Sequence, residues 1–176
     1  VEYVFDYCFK NKGPAYFRLG KVPEFNFKVK NNLKIGDGIS ITQGKDILIF
    51  SCGNIIEEVH STTNSLKKEN IHCELISYPC IKPINEQFIL KKINKISKIV
   101  IVEENSVIGG FGSAIMYILC KNSIFTKLLS LVNVKFNPDC NPDIMSLSPS
   151  ISTLERIGVS SSPTLIAFSN SGFIKF

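Results

Sequence analysis

Only two histidines, no CxxC pair and no apolar run of membrane-spanning length occur in this sequence. His60 and His72 stand without a serine, cysteine or carboxylate placed to make a nucleophilic triad, so each reads as a surface or capping residue. The six cysteines, Cys8, Cys52, Cys73, Cys80, Cys120 and Cys140, lack the spacing of a zinc site. Cys52, Cys73 and Cys120 sit inside apolar runs, where a thiol behaves as a small hydrophobe. Unpatterned thiols in a chain of this length point to a reducing compartment, the cytoplasm. No run reaches the roughly 20 apolar residues of a spanning helix. The start at Val1 carries no charged-then-apolar signal pattern and reads as a fragment or a trimmed chain. No internal repeat is present.

What the chain does have is core. Its 176 residues are 44% hydrophobic with mean hydropathy +0.16, enough for one full domain and a stub of another. The composition is not that of a disordered segment. Net charge is +5 and pI near 8.9. The lysines are scattered singly or in pairs (Lys67 and Lys68, Lys91 and Lys92) with acids among them and no aromatic ladder. That is a solvated surface, not a nucleic-acid face.

Apolar runs of strand length alternate with helical patterns, as in a parallel α/β sheet. Lys45–Cys52, Cys73–Tyr78, Lys98–Val102 and Leu129–Phe136 read as strands. Gly38–Thr42 reads as an edge strand, antiparallel to Lys45–Cys52 across the Gly44 turn. Helical spacing is found in Asn54–Asn70, with Asn54 as N-cap and Glu57 completing a capping box. It recurs in Asn85–Ile96 after Pro83, and from Gly109–Gly112 through Cys120. Asn137–Ser150 reads as loop and Ser152–Ile157 as a short helix. Upstream, Val1–Phe9 reads as a helix end, Ala15–Leu19 as a short strand and Glu24–Asn32 as a linker.

Three motifs invite chemistry. Gly109-Gly-Phe-Gly-Ser113 opens a helix, where exposed amides favour anions. Its place after the third strand is wrong for a dinucleotide fingerprint, and tight helix–strand packing explains the glycines better. Glu103 and Glu104 end a strand at the edge where open α/β sheets hold ligands. Neighbouring strand residues point to opposite faces, so the pair does not converge; a hydrogen-bonding role at the loop is favoured. Arg18, in Gly13–Lys21 (GPAYFRLGK), has the fork geometry to clamp a phosphate, although arginines so placed more often pair or face solvent.

In order and content these segments resemble the transketolase family. Gly13–Lys21 resembles the strand closing the pyrimidine-binding domain, and Ile35–Gly53 (IGDGISITQGKDILIFSCG) the opening of the C-terminal domain. Cys80–Glu86 (CIKPINE), Ile99–Ala114 (IVIVEENSVIGGFGSA) and Leu154–Ile166 (LERIGVSSSPTLI) are similar to three later family motifs. Departures are Asn105 where a histidine is common, Ile157-Gly158 in place of Tyr-Gly, and the unmatched loop 137–150.

The resemblance implies a three-layer α/β/α domain with a mostly parallel five-stranded sheet and one antiparallel edge strand. It divides the chain into the end of a pyrimidine-binding domain (1–23), a linker (24–34) and a transketolase C-terminal domain (35–176). It implies a thiamine diphosphate-dependent transferase, moving a ketol unit between sugar phosphates, in which this domain supports dimerisation and the substrate entrance. Thiamine diphosphate and Mg2+ would lie in the complete enzyme and not on this fragment. Gly36-Asp37-Gly38 only superficially imitates the family's metal motif, and no catalytic, cofactor or metal residue is assigned. Arg18 matches the family's sugar-phosphate-binding arginine and is the one substrate contact expected. Expected partners are the rest of the enzyme chain or a subunit carrying the other two domains, in a homodimer or heterotetramer, without nucleic acid or membrane. The alternatives are a non-catalytic regulatory or protein-binding module of the same fold, and a beta-subunit part of a 2-oxo acid dehydrogenase.

Overall fold

The computed structural model describes residues 2–19, 27, 33–96, 98–104, 108–124, 128–133, 166–169 and 172–175. In chain order the elements are α1 (Glu2–Lys10), β1 (Ile39–Ser40), β2 (Ile47–Ser51), α2 (Ile56–Lys68), β3 (Cys73–Ser77) and α3 (Glu86–Ile93). They continue with β4 (Ile99–Glu103), α4 (Phe111–Lys121), β5 (Leu128–Asn133), β6 (Ile166–Ser169) and β7 (Gly172–Lys175). The strands join in one sheet in the order β1-β3-β2-β4-β5-β6-β7.

The five strands from β3 to β6 in that order run parallel, and β1 and β7 are antiparallel at the two edges. This is the expected α/β class with its antiparallel edge strand, and a second antiparallel strand, β7, closes the other side. Central position follows from composition. In β4 the run Ile-Val-Ile-Val-Glu is buried at every residue, as a strand covered on both faces requires.

Alternation along the strands sends side chains to two helical layers. Leu48, Phe50, Ile76, Ile99 and Ile101 face α3 and α4, where Ile89, Ile93, Phe111, Ile115, Ile118 and Leu119 complete one cluster. Ile49, Leu75, Val100 and Val102 face α2, whose Ile56, Val59 and Leu66 complete the other. Phe27 packs against this second cluster, its ring edge-on to His60 at 5.2 Å. The result is three layers. Among the described residues no helix is long and apolar enough to cross a membrane.

Four expectations need correction. β1 pairs with β3, in the register Ile39↔Ser77 and Ser40↔Ile76, and not with β2. Both edges of β2 are taken by parallel neighbours, β3 and β4, so no hairpin partner can reach it. The connection instead passes beneath the start of β3, where Lys45 and Asp46 both donate to His72 O. Gly44 makes the passage possible, since a Cβ there would lie 2.4 Å from His72 O. Residues 15–19 form no strand. Asn54 does not cap α2: the N-cap is Ile55, with no side-chain bond, and Asn54 sits one residue early, with its N–H donated to Glu104 rather than to Glu57. Cys120 is exposed, falling off the Phe111–Ile115–Ile118–Leu119 stripe of α4.

Other expectations agree. α1 spans the expected N-terminal helix, and Asn85 caps α3, accepting from Phe88 N at 3.2 Å. The expected loop 137–150 and helix 152–157 lie outside the described residues, as does most of the linker.

Candidate functional site

The carboxyl ends of the parallel strands gather Cys52, Glu103, Glu104 and the glycine loop. Glu103 ends β4 with no exposed surface. Its two oxygens accept from Phe111 N at 2.8 Å and Gly112 N at 2.9 Å. The N-cap of α4 is Gly110, which has no side chain to offer, so the acceptor comes from the strand instead. A buried carboxylate on those amides also meets the positive end of the helix dipole.

Glu104 turns the other way and accepts from Asn54 N at 3.1 Å, at the entry to α2. Gly53, at φ +87°, keeps the turn compact, and a Cβ there would stand 2.8 Å from Glu104 Oε2. The two acids therefore serve opposite helical layers, as their adjacency on a strand dictates. Gly109, at φ +77°, donates its N–H to Ser113 Oγ at 3.0 Å. The amides that a dinucleotide's pyrophosphate would use at α4 are already occupied by Glu103. Gly109 is not a packing glycine, since a Cβ there would meet nothing within 4 Å; its positive φ is what calls for glycine.

Cys52 is buried between these acids. Burial first, then the charges of Glu103 and Glu104, push its thiol up to about 12, while Arg18 pulls the other way. Arg18 is exposed in the segment after α1 and lies near enough to this edge to act on that thiol. An unfolded thiol ionises near about 8.5. The folded pKa is raised, so the stabilisation is complete below that value and is lost as pH rises toward about 12. Native protein treated with iodoacetamide at mildly alkaline pH is expected to label exposed Cys120 and spare Cys52 until denaturant is added. Native labelling of Cys52 would contradict this environment.

The remaining sequence candidates have structural partners. Asp37 Oδ1 accepts from Asn85 Nδ2 at 2.6 Å, and Gly36 O accepts from Asn85 N at 2.8 Å, so Gly36-Asp37-Gly38 clasps the start of α3. Gly38 lies so close to Ile76 and Tyr78 that a Cβ would approach Ile76 Cγ2 to 2.3 Å. Asp46 accepts from His72 N at 2.7 Å, with His72 Nδ1 3.5 Å away. That backbone bond, ahead of the charges of His72 and Lys45, holds the Asp46 carboxyl below its usual value. Among the described residues no group of three or more His, Cys, Asp or Glu could hold a metal ion.

One pair escaped the sequence reading. Glu74, 5% exposed in β3, pairs with Lys92 of α3 and accepts from Ser40 Oγ at 3.2 Å. Its signal was a lone carboxylate inside an apolar strand, which demands a buried partner.

The family model for the C-terminal domain of transketolase matches residues 36–152. A 1-deoxy-D-xylulose-5-phosphate synthase from Caldanaerobacter subterraneus subsp. tengcongensis is 30% identical over 112 residues, covering 64% of this chain and 18% of the relative. A putative transketolase C-terminal section from Methanocaldococcus jannaschii is 30% identical over 123 residues, covering 68% and 38%. Among solved structures, a split-gene transketolase described as an inactive beta4 tetramer superposes with TM-score 0.66 at 25% identity, over 76% of this chain and 44% of that one. The chain thus matches less than half the length of each of these proteins. By sheet order, by the acids and glycines at its strand ends and by this match, the chain belongs to the transketolase C-terminal domain family.

Proposed function

We propose that this chain is the C-terminal part of a thiamine diphosphate-dependent transketolase-like enzyme that transfers a ketol unit between sugar phosphates. The observation that carries the reading is the family match over residues 36–152, with relatives that are sugar-phosphate enzymes by name. Residues 1–23 end a pyrimidine-binding domain and residues 24–34 link it to the C-terminal domain. The partner is the remainder of the enzyme, in the same chain or in a separate subunit, assembled as a homodimer or heterotetramer. A solved neighbour described as a split-gene transketolase and an inactive beta4 tetramer supports a multi-subunit assembly. The cytoplasm is its compartment, in keeping with unpatterned cysteines.

The described residues do not fit thiamine diphosphate or Mg2+. They hold no cluster of metal-ligating side chains, and the α4 amides that could face a diphosphate are bonded to Glu103. When bound in the complete enzyme, the cofactor supplies the covalent chemistry of ketol transfer. This chain contributes dimer contacts and one side of the substrate entrance, and alone it is inactive.

Arg18 is its substrate contact, binding the sugar phosphate with its guanidinium fork. In the assembled enzyme, Arg18→Ala is expected to lower kcat/KM about 30-fold, equivalent to about 2 kcal/mol, with the change carried by KM. Steady-state kinetics with phosphorylated and unphosphorylated acceptors measure it. An unchanged KM for the phosphorylated acceptor removes Arg18 from the site.

A further inference from the structure

At the opposite, amino-terminal edge of the sheet, a cavity of about 240 Å3 lies between the β1–β2 connection and the end of α3. Three lysines, Lys45, Lys92 and Lys95, are among the residues that line it, against the single carboxylate of Glu74. That carboxylate is spent internally. It is almost fully buried, holds Lys92 and accepts from Ser40 Oγ. Lys92 is thereby fixed beside the cavity, its ammonium 5.6 Å from the centre of the Phe88 ring. Glu74 takes one of its three donors. The next carboxylate, Asp46 beside Lys45, is turned to His72.

A simpler explanation is that lysines gather at a helix C-terminus to meet its dipole. It accounts for Lys91 and Lys92 in the last turn of α3. It does not account for Lys45, which comes from the β1–β2 connection, or for Lys95 beyond the helix end. The carbonyls there are also partly quenched: Leu90, Lys92 and Ile93 accept from Asn94, Lys95 and Ile96 at 3.0, 3.2 and 3.3 Å. The positive charge exceeds what the helix end requires.

We propose that this cavity is a binding site for a phosphoryl anion, either free phosphate or the phosphate group of a small phosphorylated molecule. Lysines bind phosphate as point charges, without the fork geometry that an arginine needs. The volume is below the roughly 300–1,000 Å3 of pockets that enclose a whole organic ligand. It suits a phosphate head with the remainder of a ligand outside. At the carboxyl edge the helix-start amides of Asn54, Phe111 and Gly112 are already held by Glu104 and Glu103, so those amides are not open to an anion. The site is separate from Arg18 and stands whether or not the ketol-transfer reading holds.

The experiment titrates the full 176-residue chain with inorganic phosphate at constant ionic strength, chloride making up the difference, and follows amide chemical shifts at residues 43–45 and 94–96. Saturable shifts are expected there. The exposed double variant Lys45→Gln/Lys95→Gln is expected to weaken binding about tenfold. A control with Lys10→Gln/Lys68→Gln, equal in charge change but at residues that do not line the cavity, should stay within about twofold. Glu74→Gln, which keeps an acceptor for Ser40, is expected to tighten binding. Methyl phosphate run in parallel separates the two sources: binding of both ions assigns a phosphomonoester, binding of phosphate alone the free ion. Shifts that do not saturate, or equal losses in the two double variants, overturn the site.

Discussion

Glu103→Ala is expected to destabilise the domain by about 4 kcal/mol. The carboxylate accepts two backbone N–H bonds in a place with no access to water, at 2.8 and 2.9 Å. Removing it strands both donors, because Gly110 has no side chain to replace it and the helix start is packed under Phe111. Hydrogen bonds to charged groups contribute about 1.5–3 kcal/mol each, and a buried unsatisfied amide is costly in its own right. Glu103→Gln keeps one acceptor and turns an amide NH2 toward a donor, so about half the loss is expected. Urea unfolding with a constant m-value measures both, and amide exchange should show α4 opening first. A loss of less than about 1 kcal/mol in the alanine variant would mean that other groups satisfy those amides.

The second large effect is at the Glu74–Lys92 pair. Lys92→Ala takes the cation from a carboxylate that is 5% exposed in the native pair, leaving Ser40 to bond it, and is expected to cost about 3 kcal/mol. The figure lies at the low end for a buried pair because the Lys92 side chain keeps 20% of its exposure. Replacing both partners, as Glu74→Leu/Lys92→Met, removes the desolvation cost together with the attraction. The double variant is expected to recover most of the loss. A double-mutant cycle by urea unfolding decides the matter. If Lys92→Ala costs no more than a surface substitution, Glu74 is solvated in a way its burial does not permit.

How much was legible in advance follows from the range of each interaction. The β-branched run of β4 and the apolar strand β2 announce themselves because a doubly covered strand must be apolar throughout. The cap at Asn85 was readable because it depends on the residues beside it. The partner of β1 was not. Its choice depends on β4 occupying the far edge of β2, a contact about fifty residues away in sequence. Asn54 missed the cap by one residue, since α2 starts at Ile56 with Ile55 as its N-cap, and its N–H goes to a Glu104 fifty positions away in sequence. The opposite aims of Glu103 and Glu104 came from strand alternation alone, whereas the amides each one holds needed three dimensions. Glu74 was visible as an anomaly but its partner was not, because four lysines between residues 91 and 98 compete for it on paper. Arg18 was singled out by family likeness, and its place near the carboxyl edge of the sheet rests on its pull on the Cys52 thiol.

The central claim is that this chain completes an enzyme whose cofactor sits elsewhere. Its direct measurement mixes the purified chain with a transketolase-type subunit carrying the pyrophosphate and pyrimidine domains, supplies thiamine diphosphate and Mg2+, and follows ketol transfer between sugar phosphates. The account predicts no turnover from the chain alone, and turnover from the mixture that rises to saturation as the chain is added. Turnover that is indifferent to the chain across all partners would contradict it and leave a binding module of the same fold.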